Sequence, residues 1–213
     1  MPRLSLVRAR LCAGAYLLAT AVFAASLAFA QDEKVSIAGV APLSPQPSEG
    51  AITPGLAVEY LYDKLYALDE IYDAEVDPVP GEPVADLNTV TETDPATGED
   101  KIVGVLTSDQ DILVGALIRG AIHFPEPGSY VLRVTSNDGV RVWIGGVLAW
   151  DDPEVHFDRT SPPLELAIEE PGWYEFKADY YQKKGSWALQ VLWTPPRGGE
   201  AVPVPPEAFG HVN

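Results

Sequence analysis

Residues 174–193 read YEFKADYYQKKGSWALQVLW, and this stretch decides the fold class. Tyr174, Phe176, Ala178 and Tyr180 alternate with Glu175, Lys177 and Asp179. Lys183-Lys184-Gly185 then turns the chain, and Trp187, Leu189, Val191 and Trp193 resume the apolar series. A period of two places apolar side chains on one face and polar ones on the other, the signature of antiparallel strands with one wet face. Upstream, Leu164, Leu166 and Ile168 alternate with Glu165 and Glu169 before a Pro171-Gly172 turn. Val140, Val142 and Ile144 form another such run, and Tyr130, Leu132 and Val134 share one face of Ser129–Ser136. Asn137-Asp138-Gly139 lies between these two runs, and its Asp-Gly pair favours a tight hairpin. Ile112–Phe124 is a further run, ended by Pro125-Glu126-Pro127-Gly128. The expectation is an all-β protein, with an antiparallel sandwich or barrel over residues 55–213.

Further upstream the text is less regular. Leu56–Val76 alternates at its start and then places Leu61, Leu65, Leu68 and Tyr72 at helical spacing, which predicts a strand running into a short helix. Residues 77–101 are rich in Pro, Gly, Thr and Asp and read as a long acidic surface loop inserted in the domain. Residues 31–54, with Pro at 42, 45, 47 and 54, read as a Pro-rich linker or lead-in strand. At the start of the chain, Arg3, Arg8 and Arg10 precede an uncharged stretch from Leu11 to Ala30 that closes on Ala28-Phe29-Ala30. This predicts a signal peptide over residues 1–30, cut before Gln31, and hence an exported protein, periplasmic or extracellular. The rival reading is a retained anchor, since about twenty uncharged residues can just span a bilayer.

Composition narrows the function. The 213 residues hold 14 Lys and Arg against 31 Asp and Glu, a formal charge of −17, which repels phosphate backbones and anionic lipid surfaces. Nucleic-acid binding is excluded on that ground, and no membrane insertion is expected once the leader is removed. One Cys, at position 12, leaves no disulfide framework and no thiolate metal cluster. No G-x-S-x-G, P-loop or dinucleotide fingerprint occurs, so the chain is not read as an enzyme.

The order of motifs points further. Gly120–Tyr130 (GAIHFPEPGSY), Ser136–Gly146 (SNDGVRVWIGG), Leu164–Tyr174 (LELAIEEPGWY), Asp179–Gly185 (DYYQKKG) and Ala188–Pro196 (ALQVLWTPP) together resemble the domain family named after the fourteen-kilodalton segment of anthrax protective antigen. The resemblance covers about residues 55–210 and is weakest over Tyr62–Lys101. It implies a β-barrel-like sandwich and, by analogy with its best-understood members, carbohydrate binding. In adhesins of the family, two adjacent aspartates joined by a cis peptide hold a calcium ion that binds sugar hydroxyls. The matching pair here is Asn137 and Asp138, where an amide carbonyl replaces one carboxylate and removes one unit of charge from a calcium site. Gly145-Gly146 likewise resembles the Gly-Gly turn of the adhesins, and is equally the choice of a two-residue hairpin.

Beside this pair, Trp150, Asp151, Asp152 and His156 are the remaining candidate ligand-binding residues. They are expected on a loop at the same end of the sandwich as Asn137, with acids to bond hydroxyls and an indole to stack on sugar rings. The competing reading of that segment is an ordinary acidic loop with a Trp lid. Asp151 and Asp152 are adjacent and so do not face one another across a substrate as glycosidase carboxyls do. Asp94–Asp100 reads as a solvated acidic turn, and Trp143, Trp173, Trp187 and Trp193 as core and rim aromatics. Two functions remain open: a calcium-assisted carbohydrate-binding module with a glycan or cell-envelope component as partner, or a structural or protein-interaction domain of the envelope with no sugar ligand.

Overall fold

The computed structural model describes residues 33–212 except 49, 93 and 102. The expected signal peptide lies outside these residues. Among the described residues the chain forms fifteen strands. They are β1 (Val35–Ile37), β2 (Ile52–Pro54), β3 (Ala57–Tyr62), β4 (Val79–Pro80), β5 (Asn88–Val90), β6 (Val114–Phe124), β7 (Gly128–Asn137) and β8 (Val140–Ile144). After these come β9 (Val147–Asp152), β10 (Arg159–Thr160), β11 (Leu164–Ile168), β12 (Gly172–Gln182), β13 (Ala188–Thr194), β14 (Val202–Pro203) and β15 (Phe209–Val212). Short 3-10 turns occupy Leu68–Tyr72 and Pro206–Ala208.

The strands build two sheets. One runs β1-β11-β7-β13-β14, with β10 also on β7 and β5 also on β13; the other runs β2-β15-β6-β12-β8-β9, with β3 on β6 and β4 on β3. Every pairing is antiparallel except that of β1 with β11. Their inner faces carry the alternating apolar residues read from the sequence. Tyr130, Leu132, Val134, Leu164, Leu166 and Val191 of the first sheet, and Ile118, Ile122, Phe124, Tyr174, Phe176 and Tyr180 of the second, are at most 1% exposed and belong to one core. Phe124 is a centre of it, with Tyr130, Tyr174 and Trp193 rings at 4.7, 5.2 and 6.0 Å. A second cluster, Leu61, Leu65, Leu68, Ile71 and Tyr181, seats the Leu68–Tyr72 turn on the second sheet.

Three expectations change. Asn137-Asp138-Gly139 is not a hairpin: β7 and β8 lie in different sheets, so these residues carry the chain across the sandwich. Period two fixes a strand and its faces but not its partner, and β7 takes β11 and β13 instead. Trp150, Asp151 and Asp152 are not on a loop but end β9, paired with Val142, Arg141 and Val140 of β8. Residues 77–101 hold two short strands and two buried anchors, Val84 and Leu87, so they are not loop throughout. For the segment read as a linker or lead-in strand, β1 extends the first sheet, β2 pairs with β15, and Ala41 donates its amide to the Gly145 carbonyl at 3.1 Å. The genuine two-residue hairpin is Gly145-Gly146 between β8 and β9, with φ of 55° and 82°, as such a turn requires.

Candidate functional site

Three connections meet at one end of the sandwich: the β7–β8 crossing, the segment between β9 and β10, and the β12–β13 crossing. Between them opens a cleft of about 800 Å³, lined by Asn137, Asp138, residues 155–159 and residues 183–186. Asn137 closes β7 opposite Ala188 of β13, and its peptide bond to Asp138 is cis, the form that the family resemblance implies. Both residues are 4% exposed. The wholly buried Tyr180 donates its hydroxyl to the Asn137 carbonyl. Burial, with the charges of Asp138 and Asp158 close by, pushes that phenol well above its ordinary value, so it stays a neutral donor.

Asp138 ties the segments together. Its Oδ1 accepts the His156 amide at 3.1 Å and its Oδ2 the Lys183 amide at 2.7 Å. Burial raises its carboxyl above the usual range, and these two amides only partly offset that. Asn137 donates Nδ2 to Asp158 Oδ1 at 2.9 Å and to Ser186 Oγ at 3.4 Å. That fixes which way its amide points and leaves its Oδ1 with no hydrogen-bond donor among the described residues. His156 sets Nδ1 2.7 Å from the Phe157 carbonyl; a carbonyl only accepts, so Nδ1 carries a proton. Its Nε2 stands 3.3 Å from Asp152 Oδ2 without hydrogen-bond alignment. Asp152 is buried behind the cleft and holds Arg159 at 2.8 Å.

Of the six residues proposed from sequence, the fold therefore brings Asn137, Asp138 and His156 to the cleft and sets Asp152 behind it. Trp150 packs half-buried against the core. Asp151 accepts Arg141 Nε at 2.7 Å, and the same guanidinium reaches Asp69 at 2.6 Å; neither residue lines the cleft. Phe157, 89% exposed, and Asp158, Lys183, Lys184 and Ser186 line it without having been proposed. An exposed Phe between His and Asp was the available signal for the first of these. Nothing local marks the lysines, which join only because two inter-sheet crossings end together. A smaller hollow, about 470 Å³ and bordered by Tyr72, Arg119, Trp143 and Asp179, lies on the second sheet. Its charges satisfy one another, with Arg119 and Tyr72 each 2.6 Å from Asp179 and Lys177 2.7 Å from Glu175.

The family model for the PA14 domain matches residues 67–206. The chain belongs to the PA14 domain family. The match opens inside Tyr62–Lys101, where the motifs were weakest, so much of that stretch lies within the PA14 range. Among solved structures, the PA14 domain of the MpAFP antifreeze protein superposes with a TM-score of 0.59 at 15% identity, over 79% of this chain and 96% of that one. A PA14 sugar-binding domain from an RTX adhesin gives 0.52 at 14% identity, over 74% and 98%. The A domain of epithelial adhesin 9 from Candida glabrata, in complex with Galb1-4GlcNAc, gives 0.57 at 13% identity, over 79% and 94%. At these identities the likeness is one of fold. No curated protein matches the chain. No helix among the described residues is long and apolar enough to cross a membrane.

Proposed function

We propose that this PA14 domain is an exported, non-catalytic carbohydrate-binding module that takes a glycan in the cleft at Asn137 and Asp138, assisted by calcium. The observation that carries this reading is a bare aromatic ring beside oxygen acceptors in one cleft: Phe157 is 89% exposed, and Asn137, Asp138 and Asp158 line the same space. An apolar ring covers the C–H face of a pyranose while nearby oxygens accept its hydroxyls. Two of the fold relatives are described as sugar-binding or as holding a disaccharide. The acids that the sequence placed nearest to a catalytic pair are otherwise engaged: Asp151 is paired with Arg141, and Asp152 sits behind the cleft on Arg159.

The residues present suit a weak calcium site. Among the described residues no three of His, Cys, Asp or Glu are grouped to hold a metal. The protein offers the amide Oδ1 of Asn137 and the carboxylates of Asp138 and Asp158, and water and sugar hydroxyls would complete the six to eight oxygens calcium takes. Calcium bound there would attract sugar hydroxyls through its charge. With only two carboxylates the expected affinity is weak, of the order of the roughly 0.1–1 mM of extracellular calcium modules.

Thermal unfolding with free calcium and with EDTA tests the ion. The melting temperature of the wild type should rise by the equivalent of about 1.4 kcal/mol once free calcium is ten times Kd, and that of Asp138→Ala should not respond. Asn137→Ala serves as a second variant if loss of Asp138 impairs folding. An unresponsive wild type at millimolar calcium removes the ion from the proposal. A glycan array at background removes the sugar and leaves a protein-interaction domain.

A further inference from the structure

On a chain of formal charge −17, the cleft is a cationic exception. Eleven Lys and Arg lie beyond residue 30, and three of them, Arg159, Lys183 and Lys184, line this one space. Six of the eight cations elsewhere, Lys34, Lys101, Arg119, Arg141, Lys177 and Arg197, each stand within salt-bridge distance of a carboxylate. Lys183 and Lys184 form no ion pair among the described residues, although acids outnumber bases two to one. The acids close to them are already engaged. Asp138 holds two backbone amides, Asp158 holds Asn137, and Asp152 holds Arg159 from behind. A pair of adjacent ammoniums, neither within salt-bridge distance of a carboxylate among the described residues, beside an exposed ring suits a ligand that is both a sugar and an anion.

We infer that the cleft selects a glycan whose sugar ring carries an anionic substituent, carboxylate or sulfate, received by Lys183 and Lys184 while the ring meets Phe157. This rests on the carbohydrate reading above. The acidity of the rest of the molecule sets the limit on such a ligand. A densely charged polyanion with a charge every ~1.7 Å, as in duplex DNA, is repelled by the whole surface. A chain with at most one charge per sugar meets the cleft alone, because exposed charges act only over about 8 Å at physiological ionic strength.

The test compares trigalacturonate, its methyl ester, which is neutral and nearly the same shape, and a sulfated trisaccharide, by calorimetry on residues 31–213 at low salt with calcium present. The wild type should bind the carboxylated trimer about tenfold more tightly than the ester, the modest gain of two partly exposed charge pairs. That ratio should fall toward one in Lys183→Gln/Lys184→Gln and in high salt. A sulfated trimer that outcompetes the uronate assigns the lysines to sulfate and supports the inference equally. An ester bound as tightly as the acid overturns the anionic preference and leaves the carbohydrate reading intact. A wild type that binds neither these probes nor any neutral glycan overturns both.

Discussion

Asp138 is 4% exposed and holds amides from two separate segments, and both facts bear on its protonation. Burial raises its folded value above the ordinary carboxylate value of about 3.9. A raised value means that the stability it contributes is full below the unfolded value and is lost as pH rises through the folded one. The stability difference between wild type and Asp138→Asn, measured by urea unfolding in EDTA, should therefore move against the wild type across that window. Calcium needs the carboxylate, so the calcium-induced rise in melting temperature should grow over the same interval. Asn137→Asp makes a sharper demand. It replaces the amide now 2.9 Å from Asp158 with a second negative group, so in EDTA the variant should lose about 1–3 kcal/mol. Its calcium response should exceed that of the wild type, because added ligand charge tightens the site. A variant as stable as the wild type in EDTA would show that Asn137 and Asp158 do not interact as described.

At the scale of elements, the β8–β9 hairpin offers a controlled comparison. Gly145 and Gly146 both have positive φ, but a Cβ on Gly145 would stand 2.7 and 2.8 Å from the Ala41 backbone, whereas one on Gly146 meets nothing within 4 Å. Gly146→Ala should cost about 1 kcal/mol from the left-handed backbone alone. Gly145→Ala should cost at least about 1 kcal/mol more, by displacing residues 39–43 from the hairpin; equal losses in chemical unfolding would contradict that contact. The same elements show how far the sequence can be read. Val140–Ile144 and Leu164–Ile168 form strands at the limits their alternation gives, because one inner face of each is wholly apolar. Leu68–Tyr72 supplies the short helical turn that followed β3 in the reading. What local pattern could not say was which sheet each strand joins. Asn137-Asp138-Gly139 has the chemistry of a hairpin turn and performs a crossing, since the choice of partner is made by residues fifty positions away, such as Leu189 and Val191. Trp150–Asp152 was misplaced for a related reason: polar residues outnumber apolar ones there, yet Arg141 opposite supplies a charge partner that keeps Asp151 in a strand.

For the whole molecule, the family and the all-β class were legible because they depend on repeated features, while the cleft was legible only where Asn137, Asp138 and His156 are concerned. Net charge is the other global property. A chain of −17 repels itself, so raising sodium chloride from low to physiological concentration should raise the melting temperature in EDTA by a small increment. Calcium should exceed the increment given by an equal ionic strength of sodium or magnesium salt; if it does not, its effect is screening and not a site. The carboxylate of Asp138 finally gives the cleft a built-in clock. The His156 and Lys183 amides, twenty-seven positions apart in sequence, are both held by that one side chain. Their protons should exchange with deuterated solvent at rates that rise and fall together, and occupancy of the cleft should slow both by a common factor.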